Sequence, residues 1–129
     1  MAQKTVLLVE DDPDIRDIVQ DVLEAEGYDV IPASHGRQAL EFLSGVREGA
    51  RPDLVILDMM MPLVDGSHVL EAIRNDQSLS SVPVVVMSAI AHEKPVGAAA
   101  FLRKPFSLDT LFAAVHTLVD EPVATLVTT

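Results

Sequence analysis

The sequence predicts an α/β fold in which a mainly parallel sheet is covered by helices on both faces. Three observations predict it. Short apolar runs bounded by turn residues, among them Val6 to Val9, Leu54 to Leu57 and Val82 to Met87, have the length and continuity of strands buried on both sides. Between them lie stretches whose apolar residues recur every three or four positions, as in helices with one buried face. The two kinds of segment alternate strictly, which demands crossover connections and therefore parallel strands.

Taken in order, Val6 to Val9 is the first strand, and Asp12-Pro13 supplies an N-cap and a first helical position. Ile15, Ile18, Val19, Val22 and Leu23 form the apolar stripe of the helix that follows, and Gly27 stops it. Tyr28 to Ala33 is the second strand. Ser34 is placed to cap a helix carrying Ala39, Leu40, Leu43 and Val46. Leu54 to Leu57 is the third strand, and a helix with Val69, Leu70 and Ile73 follows Gly66. Val82 to Met87 is the fourth strand and Ala100 to Arg103 a short fifth. Ser107 opens a last helix with the stripe Leu108, Leu111, Phe112, Val115, Leu118 and Val119. No repeat, low-complexity tract or linker interrupts the pattern, so residues 1–129 read as one domain. Its core spans about 4–120, and the patternless 121–129, with a proline near its start, reads as a flexible tail.

Composition narrows the function classes. At 129 residues with 49% hydrophobic content the chain can bury a real core and is no disordered segment. The apolar runs are too short to cross a bilayer, and the start "MAQKTVLLVEDD" lacks the layout of a signal peptide. A cytoplasmic protein with no membrane partner is expected. Twenty acids against nine Lys and Arg give a net charge of −11, which repels nucleic acid and anionic membrane alike. The absence of cysteine excludes disulfides, thiolate chemistry and cysteine zinc sites. His35, His68, His92 and His116 show no metal-ligand spacing and read as surface residues.

Open parallel sheets bind ligands beyond the carboxyl ends of their strands, and the sequence gathers its polar groups there. Strand one ends in Glu10, Asp11 and Asp12, strand three in Asp58, strand four in Ser88, and strand five runs into "RKPF" with Lys104. Singly, each has an ordinary explanation: a helix cap, a turn, a strand-end hydroxyl, a solvated lysine. Together they do not. Two carboxylates about 5 Å apart repel by roughly 3 kcal/mol at an effective dielectric near 20. A cluster of three therefore asks for a cation, and oxygen donors suit a hard divalent ion such as magnesium. A metal, a hydroxyl and a lysine around one aspartate are the parts of phosphoryl transfer to a carboxylate.

The segments "LLVEDDPDIR", "VILDMMMPLVDG", "VVVMSA" and "FLRKPF" resemble, in order and in register, the four signature segments of bacterial response-regulator receiver domains. The resemblance covers nearly the whole chain. It implies a flavodoxin-like doubly wound sheet of five strands in the order 2-1-3-4-5 with five helices. It implies that Asp58 accepts a phosphoryl group from a phosphohistidine, on a sensor histidine kinase or a histidine phosphotransfer protein. Mg2+, with Mn2+ as a substitute, would be held by Asp11, Asp58 and the backbone carbonyl of Met60, with Glu10 acting through a water. Ser88 and Lys104 would contact the phosphoryl oxygens, Phe101 would switch rotamer with Ser88, and the Lys104–Pro105 bond would be cis. The chain is then a stand-alone phosphoaccepting signalling domain. It is expected to be a monomer, to catalyse only its own phosphorylation and dephosphorylation, and to act on an unidentified downstream protein.

Two departures from the family pattern carry expectations of their own. The stretch "AIAHEKPVGAAAFLR" between Ser88 and Lys104 is short by roughly one and a half turns of 3.6 residues and holds Pro95 and Gly97. The fourth helix should be shortened or missing. Met60 and Ile90 are apolar where the family flanks the attacking water, so slow hydrolysis of the phosphoryl group is expected. An aspartate-nucleophile hydrolase of the haloacid dehalogenase type would need a second Asp where Met60 stands. A flavin module would need a Ser/Thr/Gly-rich phosphate loop where "EDDPD" stands. A pseudo-receiver that binds partners without being phosphorylated is the remaining alternative, and the full set of site residues argues against it.

Overall fold

The structure, a computed structural model, describes residues 4–45, 51–59, 66–89 and 94–119. Met60, Ile90, His92, Val46 and the 121–129 tail lie outside the described residues. The elements are β1 (Thr5–Val9), α1 (Pro13–Ala25), β2 (Asp29–Ala33), α2 (Gly36–Ser44), β3 (Leu54–Asp58), α3 (Gly66–Asn75), β4 (Val84–Ser88), β5 (Ala100–Arg103) and α4 (Leu108–Val119). The five strands are parallel throughout and lie in the order β2-β1-β3-β4-β5. This is the flavodoxin-like arrangement.

Strand periodicity divides the core. Val6 and Leu8 of β1 pack with Val19 and Leu23 of α1 and Leu111 and Val115 of α4. Leu7 and Val9 pack on the opposite face with Ala39 and Leu43 of α2 and Val69, Leu70 and Ile73 of α3. The inner strands β3 and β4 are buried at every residue, which is why their sequences are continuous apolar runs rather than alternating ones. Each fully buried leucine or isoleucine contributes about 1.5–3 kcal/mol relative to exposure, so the sheet's centre is a firm mount for whatever sits at its end.

Local chemistry accounts for most boundaries and corrects a few. The Asp12 side chain accepts from the Asp14 and Ile15 N–H groups, and Pro13 takes the first helical position of α1. The cap of α2 is His35, one residue later than the Ser34 expected. The His35 Nδ1 accepts from the Gln38 N–H at 3.1 Å, while the Gln38 side-chain oxygen turns back to the Ser34 N–H and hydroxyl. β4 begins at Val84 rather than Val82, because Pro83 has no N–H and the Val82 N–H closes a turn on the Leu79 carbonyl. Ile18 and Leu108, expected within buried stripes, are 54% and 41% exposed.

Between β4 and β5 the described residues contain no helix. Residues 95–98 instead form a turn closed by the Ala98 N–H on the Pro95 carbonyl at 3.2 Å. Gly97 has φ +94°, which favours glycine, and a Cβ there would also crowd Arg74 Cγ at 3.1 Å. Among the described residues no helix is long and apolar enough to cross a membrane.

Candidate functional site

The hydrogen-bond ladder runs one residue past the formal strand ends, and this places the site. The Glu10 N–H donates to the Ala33 carbonyl at 3.0 Å, the Met59 N–H to the Met87 carbonyl at 3.0 Å, and the Lys104 N–H to the Ser88 carbonyl at 2.9 Å. Glu10, Asp58, Ser88 and Lys104 thus stand along one edge of the sheet, each fixed by a neighbouring strand. The edge is buried: Glu10 is 0% exposed, Asp58 2% and Ser88 1%. Gly66, the first residue of α3, closes the loop after β3 with its N–H on the Met59 carbonyl at 3.2 Å. A Cβ there would lie 2.6 Å from the Asp58 carbonyl oxygen and from Met59 Cα, so only glycine lets α3 start against the aspartate.

One carboxylate oxygen each from Glu10, Asp11 and Asp58 lie within 4.8 Å of one another. Lys104 faces two of them, with Nζ 2.8 Å from Glu10 Oε1 and 3.4 Å from Asp58 Oδ2. Burial alone would lower the lysine's affinity for its proton, yet its pKa is raised above the ordinary 10.5. The hydrogen bond to Glu10 and the charges of Asp58 and Glu10 more than offset the desolvation. One ammonium against three carboxylates leaves an excess of negative charge. All the donors are hard oxygens on a rigid edge, and the third, Asp11, is exposed to incoming solvent ions. The donor set therefore fits a divalent cation of the magnesium class, with room for water in its shell.

The expected residues converge as follows. Glu10, Asp11, Asp58 and Lys104 meet in one pocket, and Ser88 ends the strand beside Asp58. Phe101 of β5 is half-buried and packs on the α2/α3 side of the core. The Lys104–Pro105 peptide is cis. The Met60 carbonyl lies outside the described residues. Asp12 does not join the acidic group but caps α1.

Sequence reasoning missed two features. Arg16 donates from Nη1 to the Glu10 carbonyl at 3.0 Å, binding α1 to the acidic turn. An apolar groove of about 320 Å³ opens beside Lys104, lined by Ile15, Ile18, Val19, Pro105, Phe106 and Leu108. The signal for the groove was present in Ile18 and Leu108, which extend the helix stripes further than a core requires.

Fold and pocket together define a flavodoxin-like α/β domain whose acidic pocket is suited to a cation and has an aspartate at its centre. Residues 6–116 match the response regulator receiver domain family, and the chain belongs to that family. Over 122 residues it is 34% identical to the DNA-binding dual master transcriptional regulator RpaA of Synechocystis, covering 88% of this chain and 48% of that protein. It is 35% identical to part of the sensor histidine kinase TmoS of Ectopseudomonas mendocina, covering 95% of this chain and 13% of the kinase. The chain thus spans about half the length of the regulator it matches and a small part of the kinase. Among solved structures it is similar to the chemotaxis protein CheY4 of Vibrio cholerae, with TM-score 0.79, 30% identity and coverage of 91% and 99% of the two chains. It is also similar to the response regulator TrrA of Thermotoga maritima in complex with Mg2+ and BeF, with TM-score 0.77, 32% identity and coverage of 90% and 99%.

Proposed function

We propose that Asp58 is the acceptor in a magnesium-dependent phosphoryl transfer from a histidine kinase or a histidine phosphotransfer protein, and that the phosphorylated domain changes its hold on a downstream protein partner. The observation that carries this is the convergence of three carboxylates within 4.8 Å, with Lys104 Nζ 3.4 Å from Asp58. In the step, an oxygen of Asp58 bonds to phosphorus while the phosphorus–nitrogen bond of the donor breaks, its electron pair staying with the leaving imidazole. Asp11, Asp58 and the Met60 carbonyl would hold the metal, with Glu10 acting through water. The metal supplies positive charge against the phosphoryl oxygens when bound.

The chain's own residues have separate tasks. The sheet fixes Asp58 so that little reorganisation is needed for attack. Lys104 is already hydrogen-bonded at the pocket mouth and can turn from Glu10 to a phosphoryl oxygen. Ser88 stands one strand away to take another oxygen, and Phe101 follows its movement. The groove beside Lys104 offers the donor protein an apolar landing next to the acceptor. Among the described residues a turn at Pro95–Ala98 and no helix stands between β4 and β5, which supports a monomer that signals by another face.

Intact mass after incubation with acetyl phosphate tests the proposal. One phosphoryl group should be gained by the wild type in Mg2+, and none by Asp58→Asn or by the wild type in EDTA. A folded wild type that gains nothing in Mg2+ would overturn it.

A further inference from the structure

Glu10 has every polar group occupied. Its N–H donates to the Ala33 carbonyl, Oε1 accepts from Lys104 Nζ at 2.8 Å, and Oε2 accepts from the Asp12 N–H at 3.1 Å. Its carbonyl, the fourth group, accepts from Nη1 of Arg16 at 3.0 Å. That carbonyl belongs to the Glu10–Asp11 peptide unit, which is planar, so holding the oxygen fixes the plane from which Asp11 departs.

Asp11 has little else to aim it. It is exposed, and among the described residues no hydrogen bond or ion pair holds its carboxylate. Arg16 is itself firmly mounted: its N–H closes the first helical bond of α1 on the Asp12 carbonyl at 2.9 Å. In sequence it is flanked by Asp11, Asp12, Asp14 and Asp17, yet the guanidinium reaches over them to a neutral carbonyl. We infer that Arg16 is a positioning residue for the metal pocket, locking the Glu10–Asp11 peptide so that the Asp11 carboxylate points at Glu10 and Asp58. It does so from outside the cluster, without contacting the ion or the phosphoryl group.

This rests on the proposed magnesium site, and it gives a test in which charge and geometry pull in opposite directions. A positive charge near a cation site weakens binding, so by Coulomb's law alone removing Arg16 should tighten the metal. Positioning predicts the reverse. Mg2+ affinity of the unphosphorylated protein, measured by amide chemical-shift titration, should fall about tenfold in Arg16→Met, the low end of the loss seen when a group orienting a metal ligand is removed. Arg16→Lys, which keeps one donor at the end of a long chain, should recover part of it. Leu23→Ala, a core truncation on the same helix away from the groove, should lower stability and leave the affinity unchanged. Saturating Mg2+ should restore the acetyl phosphate reaction of Arg16→Met.

Affinity that is unchanged or tighter in Arg16→Met overturns the inference, as does an equal loss in Leu23→Ala. If Arg16→Met does not fold, Arg16→Gln takes its place with the same criteria. A wild type that shows no Mg2+ response fails the proposed function itself; a wild type that responds like the variants fails only the role of Arg16.

Discussion

At the carboxyl edge of the sheet Glu10 and Asp58 are buried beside each other with Asp11 close by, and Lys104 pairs with the first two. At the amino edge the charged groups turn to neutral backbone instead. Arg74 donates to the Ser80 carbonyl at 2.8 Å and to the Val82 carbonyl, and Arg51 to the Ser78 carbonyl at 2.8 Å. The Asp76 carboxylate accepts from both the hydroxyl and the N–H of Ser78. These bonds, the hydroxyl's first, hold its pKa below the usual 3.8 against a small opposing effect of burial. One edge completes its own hydrogen bonds and closes its loops; the other keeps like charges together. Buried like charges held this way are costly unless a cation offsets them, as Lys104 does in part.

The comparison breaks most readily at Arg74. Its two carbonyl bonds are charge-assisted, worth roughly 1.5–3 kcal/mol each, and the buried Nε–H without a hydrogen-bond partner gives some of that back. Its stem also packs on Gly97, so the turn that stands before β5 leans on it. Arg74→Ala should lower stability by about 2–3 kcal/mol in urea unfolding. The rate of phosphorylation by acetyl phosphate, per folded molecule, should stay at the wild-type value. A matching loss of phosphorylation would show that the two edges are coupled rather than separate.

Asp11→Asn sharpens the same contrast with the opposite sign. An unpaired carboxylate under 4.8 Å from two others is repelled by roughly 3 kcal/mol per pair at an effective dielectric of 20. Exposure and salt reduce that to about 1 kcal/mol overall. In EDTA the variant should be more stable than the wild type by this amount, and added Mg2+ should no longer raise its urea midpoint. A less stable variant in EDTA would mean that Asp11 supports the turn instead of straining it.

How far the sequence shows all this depends on what kind of interaction decides each feature. Strands β1, β3 and β4 are legible because burial on both faces leaves polar residues only at their ends, Thr5, Asp58 and Ser88, and α1 because Asp12-Pro13 is a local signal. The acidic pocket is legible because strand order brings the strand ends together whatever the loops do. The cap of α2 is shifted by one residue because Gln38 has two partners within reach, Ser34 and His35, and local propensity does not rank them. The Arg16 contact is not legible at all: an arginine one turn into a helix usually faces water, and only the packed position of α1 turns it toward Glu10. The exposure of Ile18 is legible only in part: the width of the stripe signals it, but a stripe of apolar residues does not say where the neighbouring helix stops covering it.

Lys104 gives the smallest effect and the finest cut between the edges, because among the described residues it is the group whose proton balances the acidic cluster. Burial favours its neutral form, but the hydrogen bond to Glu10 and the charges of Asp58 and Glu10 win, and its pKa is raised. A base whose pKa is higher in the folded than in the unfolded state adds stability that is complete below the unfolded value, about 10.5, and disappears as pH rises through the folded one. In EDTA, the urea midpoint should therefore fall more steeply with pH above about 10 in the wild type than in Lys104→Met, in which other alkaline titrations remain but this one is gone. Parallel profiles would mean that the ammonium is held in place by the packing of its stem, and that the carboxylates would sit together just as closely without it.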